Sequence, residues 1–273
     1  MPNSSPSALF RDHLADPRRP AVRARISAQL TEQGLVTMDG LERREQVLGL
    51  ARVLMKVNRH RDSDPDGLTV IRDTGRHQDR PGFAGLSSAE LFPHTEGSAL
   101  PVPPRLMLLA LARAADSGGA CVLVDGRAVY DDLLAGHPDA VEVLAEDRAG
   151  LFGTGSGTFS PVFAHPGGER IQVRLRLDEL ARFHPRVEPY LPALRAAIDR
   201  HRHALPLRAG QAYLLDNYRW LHARTAFGGG RVAYRALGDP QVGLTLPAGF
   251  SVGSALAAEP TEAPALVGGG AWR

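Results

Sequence analysis

The octapeptide Leu91-Phe92-Pro93-His94-Thr95-Glu96-Gly97-Ser98 places two metal-capable side chains, His94 and Glu96, one residue apart. On a strand, side chains at this spacing share a face, so one imidazole nitrogen and one carboxylate oxygen could reach the same ion. Alone, the pair reads equally well as a polar patch on a sheet. A third donor arrives at His222, six residues after Asp216 in Asp216-Asn217-Tyr218-Arg219-Trp220-Leu221-His222. Two histidines and a carboxylate occupy one side of a metal and leave the other positions open, which suits non-haem iron(II) chemistry. Downstream, Arg231 and Arg235 in Arg231-Val232-Ala233-Tyr234-Arg235 face the same way on a strand. A guanidinium holds a carboxylate through two parallel hydrogen bonds.

The elements that must position these groups follow from hydrophobic periodicity and turn residues. Helices are expected at 8–14, 21–30, 41–57, 127–134, 138–145 and 192–204. Pro192 suits the first turn of the last of these. Strands are expected at 34–38, 68–72, around His94, and at 105–112, 120–124, 151–153, 158–164, 171–176, 212–216 and 232–238. Residues 73–90 read as a long loop leading into the His94 strand, the kind of loop that often forms a lid. Many short strands with helices between groups of them point to a mainly β fold with helical insertions, a double-sheet jelly roll. The expected organisation is a flexible arm over 1–20, one jelly-roll domain over 21–250 and a partly ordered tail over 251–273.

Bulk properties exclude several classes. The formal net charge is only +2, and the basic residues, all arginine except Lys56, are scattered rather than gathered in a stripe. No nucleic-acid partner is expected. The single cysteine, Cys121, leaves no intrachain disulfide or cysteine-rich zinc site. No apolar run approaches the roughly 18 residues needed to span a bilayer, and residues 1–20 lack a signal-peptide core. A cytoplasmic protein with no membrane partner is expected; the oligomeric state is not legible.

Taken together, Pro93-His94-Thr95-Glu96-Gly97-Ser98, Gly118-Gly119-Ala120-Cys121-Val122-Leu123-Val124-Asp125, Asp216-Asn217 with His222-Ala223-Arg224, and Arg231-x-x-x-Arg235 carry a resemblance. The chain resembles the iron(II)/2-oxoglutarate dioxygenases of the taurine dioxygenase superfamily, in particular its clavaminate synthase-like and amino-acid β-hydroxylase branch. The match covers residues from about 66 to 240. It implies a double-stranded β-helix core, iron(II) as cofactor, and 2-oxoglutarate and O2 as cosubstrates. It also implies conversion of these to succinate and CO2 as an unactivated C–H bond of a small molecule is hydroxylated.

Carried over residue by residue, the resemblance makes His94, Glu96 and His222 the iron ligands. It makes Arg231 the clamp on the far carboxylate of 2-oxoglutarate. Cys121 stands where the family usually has threonine, and a thiol is the weaker donor. The glutamate in His-x-Glu is the choice of the clavaminate synthase-like branch and implies oxygen chemistry rather than halogenation. The implied substrate is a free amino acid or a small polar natural-product intermediate. The alternatives are a catabolic sulfonate- or aryloxyacid-type dioxygenase, or a binding protein with a vestigial site.

Candidate substrate contacts are Arg235, Arg174 (with Arg176 on the same face), Ser87 and Ser88. Arg235 could instead pair with an internal carboxylate. Arg224 reads as a loop brace, His201 and His203 as surface residues of the 192–204 helix, and the run from Gly153 to Thr158 as a connection rather than a phosphate loop. Asp62, Asp64 and Asp66 read as a solvated turn rather than a calcium loop.

Overall fold

The computed structural model describes residues 7–19, 22–76, 81–155 and 157–252. Two antiparallel sheets face each other. The major sheet runs in the order Leu35–Met38, Ala212–Asp216, Leu106–Arg113, Val232–Pro240 and Met55–Val57, with Thr69–Arg72 also paired to Val232–Pro240. The minor sheet runs Arg202–Leu205, Cys121–Asp125, Trp220–Arg224 and Leu91–His94. This is the double-stranded β-helix that the strand pattern predicts.

The central strand Leu106–Arg113 shows why the major sheet reads as continuous apolar sequence. Met107, Leu109 and Leu111 point between the sheets, against Leu123, Leu205, Tyr213 and Leu215. Leu106, Leu108 and Ala110 alternate to the other face, where Ile26, Leu30, Val47, Ala51 and Leu54 of two helices, Val22–Gln33 and Arg44–Leu54, cover them. Both faces are buried, so neither can be polar. The outer side of the minor sheet is covered likewise. Val124 and Leu221 pack with Val129, Leu133, Leu194 and Ile198 from the helices Gly126–Gly136 and Leu191–Arg200.

Several element ends differ from the sequence pattern for one reason: a sheet edge captures the chain. The 41–57 segment is helical only over Arg44–Leu54, because Met55–Val57 pairs with Gly238–Pro240. The 192–204 segment is helical over Leu191–Arg200 and then pairs with Cys121–Val124, so His201 ends the helix and His203 lies on a strand. The 158–164 strand divides into Thr158–Ser160 and Phe163–Gly167 on either side of Pro161. The strand Trp220–Arg224 is absent from the sequence reading.

Residues 7–19 are not a loose arm. Ala8–Asp12 is a short helix, Phe10 is buried, and the Thr37 hydroxyl donates to the Phe10 carbonyl at 2.6 Å. Phe250–Ser251 pairs with Arg170–Ile171, and the rest of the expected tail lies outside the described residues. The acidic turn is charge-paired, with Arg44 bonded to Asp64 at 2.7 Å and to Asp66 at 2.6 Å. Among the described residues no helix is long and apolar enough to cross a membrane.

Candidate metal centre

Two neighbouring strands of the minor sheet bring the histidines together. Leu91–His94 and Trp220–Arg224 are antiparallel with His94 opposite His222, and the ring centroids lie 4.2 Å apart. Glu96 arrives differently from the sequence expectation. The strand ends at His94, and Glu96 sits in the turn beyond it rather than on the same strand face. That turn is tied down by Asn217. The Glu96 amide donates to Asn217 Oδ1 at 2.7 Å, and Asn217 Nδ2 donates to the carbonyls of Glu96 (2.9 Å) and Pro104 (2.8 Å). Gly97 completes it at φ +67°, where an added Cβ would meet Pro104 Cδ at 2.8 Å. Only glycine suits such a position. One ligand atom from each of His94, Glu96 and His222 then falls within 4.8 Å of the others.

The Asn217 clamp makes a specific demand on the fold. Asn217 is buried and serves three backbone groups, and each group left bare costs about 1–3 kcal/mol. Asn217→Ala should therefore destabilise the protein by about 2–4 kcal/mol in urea unfolding, and weaken metal binding as the Glu96 turn loosens. A variant with unchanged unfolding midpoint and metal affinity would remove Asn217 from this role.

The protonation states suit coordination. His94 Nδ1 lies 2.8 Å from the Phe92 carbonyl, which makes Nδ1 the protonated nitrogen and leaves Nε2 a lone pair toward the centre. His222 Nε2 lies 3.6 Å from Glu96 Oε2. Burial and then the neighbouring His222 push the His94 pKa down to about 3. Burial opposes ionisation of Glu96, but Arg235 and the two imidazoles outweigh it and hold the carboxyl well below the usual range. Neutral histidine and ionised carboxylate are the forms that bind metal.

The same shifts set the acid stability of the metal-free protein. Below the ordinary histidine pKa of about 6.5, the unfolded chain takes up a proton at residue 94 that the native state refuses until about pH 3. Stability should fall on acidification across that window, by on the order of 1.4 kcal/mol per pH unit from this group. Glu96, whose native pKa is depressed, steepens the loss below the unfolded carboxylate range. Urea midpoints across this range should show a shallower slope in His94→Asn. An identical slope would contradict the assignment.

Arg231 lies just before the strand Val232–Pro240 and is 3 % exposed. Its Nε donates to the Gly119 carbonyl at 3.2 Å and its Nη2 reaches Cys121 Sγ at 3.5 Å. Gly119, at φ +72°, lets the arginine pass, since a Cβ there would stand 3.0 Å from Arg231 Cδ. A cleft of about 820 Å³, with Arg72, Arg76 and Arg113 in its wall, reaches Arg231 from the surface. Arg235 takes the internal option: Nη1 bonds Glu96 Oε2 at 2.7 Å and Nη2 lies 3.4 Å from His60 Nδ1.

A second cavity of about 600 Å³ opens over His94, Glu96 and Arg235. It collects His60, Arg61 and Asp178, which the sequence reading did not select, and Asp62 from the turn read as solvated. Arg176, expected on the same face as Arg174, does line it, in a bidentate pair with Asp178 at 2.7 and 2.6 Å. Three of the expected substrate contacts do not line it. Ser87 is fully buried and bonded within its own loop, its hydroxyl donating to Ala84 O at 3.1 Å. Ser88 is absent from the wall. Arg174 turns away from Arg176 and donates to the carbonyls of Ser98 (2.8 Å) and Leu100. Arg224 braces the loop as its sequence position indicates, donating to the carbonyls of Ala84, Ser87 and Ala89.

A two-sheet barrel with a His/Glu/His cluster at the mouth of a charged cavity defines a 2-oxoglutarate-dependent non-haem iron dioxygenase. Residues 6–237 match the model of the taurine catabolism dioxygenase TauD, TfdA family, and the chain belongs to that family. Among solved structures it is similar to the non-heme iron oxygenase OrfP in complex with Fe, succinate and (3S)-hydroxy-L-Arg. That match has a TM-score of 0.64 and 16% identity, and covers 85% of each chain. It is also similar to an asparagine oxygenase in complex with Fe(II), 2S,3S-3-hydroxyasparagine and succinate, with a TM-score of 0.60, 19% identity, and 81% and 80% coverage of the two chains. A third similar structure is OrfP with Fe and alpha-ketoglutaric acid (TM-score 0.61, 18% identity, 84% and 83% coverage). No curated protein matches the sequence.

Proposed function

We propose that the enzyme hydroxylates an unactivated C–H bond of a free amino acid, or of a small polar intermediate with amino-acid character. The observation that carries this is the wall of the 600 Å³ cavity, where Arg235, Arg176, Asp178 and Asp62 present both signs of charge beside His94 and Glu96. A zwitterion needs both; an aryloxyacid, or a sulfonate without an amino group, needs only the cations. The similar structures holding hydroxylated arginine and asparagine support the same substrate class.

In this reading His94, Glu96 and His222 hold iron(II), with His94 through Nε2. Arg231 binds the far carboxylate of 2-oxoglutarate. When bound, the metal and cosubstrate supply, with O2, the oxidising power that yields succinate, CO2 and the hydroxylated product. The chain's own work is placement. Asn217 fixes the Glu96 turn, and Arg235 fixes the Glu96 carboxylate. The second edge of Arg235 meets the substrate carboxylate. Glu96 and His222 are themselves buried, which shields their side of the centre from water.

The test is succinate release under iron(II), 2-oxoglutarate and oxygen, across a panel of amino acids, sulfonates and aryloxyacids. Coupled turnover with a polar amino acid is expected. Turnover with sulfonates alone would overturn the substrate class. No turnover of any kind, with no iron binding by calorimetry, would overturn the site.

A further inference from the structure

Beside the metal ligands, one wall of the substrate cavity pairs a carboxylate that is almost fully committed with a guanidinium that is only half committed. We infer that the amino acid bound there carries an acidic side chain, and that Arg176 is the residue that reads its side-chain carboxylate. This rests on the reading of the 600 Å³ cavity as the amino-acid site.

The placement comes from strand pairing. Arg176 forms a β-bridge with His94. Next to it, the Thr95 amide donates to the Leu175 carbonyl at 2.8 Å, and the Leu175 amide donates to Thr95 Oγ1 at 3.1 Å. Arg176 therefore starts from backbone pinned beside the first metal ligand, and its side chain lines the cavity. Two residues on, Asp178 accepts from Arg176 Nε at 2.7 Å, from Arg176 Nη2 at 2.6 Å and from the Leu180 amide at 3.2 Å. A carboxylate has about four acceptor sites, so Asp178 keeps little capacity for a substrate cation. Arg176 is in the opposite position. Its Nε and Nη2 face Asp178, while Nη1 has no protein partner among the described residues. The pair is only 14 % and 13 % exposed, a setting in which charge-assisted bonds are strong. Ser98, in the same wall, adds a buried hydroxyl with no partner among the described residues.

Charge points the same way. The cavity wall contains four arginines but only three acids, Asp62, Glu96 and Asp178. Iron(II) and the 2-oxoglutarate dianion cancel, so the positive excess is left for the substrate to balance. An acidic amino acid carries a net negative charge and complements it, whereas arginine or ornithine adds to it. The groups of such a substrate also sort onto separate partners. Arg235 takes the α-carboxylate, and Asp62, whose Oδ1 has no protein partner among the described residues, remains for the ammonium. The free end of Arg176 takes the side-chain carboxylate. Asp178 is then a positioning residue: it holds the guanidinium in place beforehand, so less ordering entropy is lost on binding.

The experiment is anaerobic calorimetry on the protein loaded with iron(II) and 2-oxoglutarate, titrated with L-aspartate, L-glutamate, L-asparagine, L-glutamine, L-arginine and L-ornithine. One of the two acids should bind tightest, by about tenfold over its own amide and by more over the cations. Arg176→Met should weaken the acids about tenfold to a hundredfold and, by uncovering Asp178, tighten arginine or ornithine. Arg176→Met/Asp178→Asn should weaken the acids to the same extent and gain nothing for the cations. Equal weakening of all the probes by Arg176→Met would give Arg176 a structural role only and overturn the inference. Tighter binding of arginine or ornithine than of either acid by the wild type, or binding of neither acid, would overturn it as well, and neither result depends on a variant folding. Absence of iron(II) binding by the wild type would overturn the underlying site reading, and the inference with it.

Discussion

Glu96→Ala is expected to lose iron(II) binding by more than a hundredfold and turnover by at least about a thousandfold. Residues that merely orient a ligand typically cost 10–100-fold in metal affinity or activity, and a ligand itself should cost more. The variant also breaks an ion pair. Arg235 Nη1 bonds Glu96 Oε2 at 2.7 Å in a site where both side chains are largely buried. Removing one partner of such a pair leaves an uncompensated charge, at about 3–5 kcal/mol. Loss of activity alone could therefore be loss of fold. The double variant Glu96→Ala/Arg235→Met separates the two effects. It should recover most of the stability in urea unfolding while iron binding stays absent, because the ion pair and the coordination bond are coupled differently. Calorimetric titration with iron(II) reads the second quantity directly. A Glu96→Ala protein that binds iron within tenfold of wild type would show that Glu96 is not a ligand.

The Arg235 pair also marks how far the sequence could be read. His94, Glu96 and His222 were legible by residue type and order, and they do converge. The manner of convergence was not. Spacing alone put Glu96 on the His94 strand, whereas a turn clamped by Asn217 presents it, and that clamp spans more than a hundred residues of chain. The Trp220–Arg224 strand escaped notice because Arg219, His222 and Arg224 interrupt any apolar alternation, each for a non-local partner: Asp125, Glu96 and the 84–89 loop carbonyls. Helix ends at Leu54 and Arg200 failed similarly, since pairing with a distant sheet edge overrides local propensity. Arg174 and Ser87 were plausible contacts by position, yet their bonding capacity is taken up by backbone carbonyls in neighbouring turns. Local pattern showed the elements and the chemistry-bearing residue types. Side-chain direction in the loops depended on partners that no window of sequence contains.

Arg231→Met should weaken 2-oxoglutarate binding by about a hundredfold to a thousandfold, seen as a rise in its KM and in the anaerobic dissociation constant. A charge-assisted hydrogen bond contributes about 1.5–3 kcal/mol, and a guanidinium fork offers two. Arg231 is well placed to keep that contribution, because the Gly119 carbonyl and Cys121 already hold its orientation. Less ordering entropy remains to be lost on binding. Arg231→Lys retains the charge but not the fork, so its affinity should fall between the two. The cleft outside adds a kinetic signature. Arg72, Arg76 and Arg113 line the 820 Å³ approach to Arg231 and are solvent-facing. Exposed cations act through a screened field, so they should raise the association rate of a dianion at low salt and little else. Replacing Arg72 and Arg76 together by glutamine should slow association and flatten its salt dependence while dissociation stays near wild type. Arg231→Met should do the reverse and speed dissociation. Equal dissociation rates for wild type and Arg231→Met would place the cosubstrate clamp elsewhere.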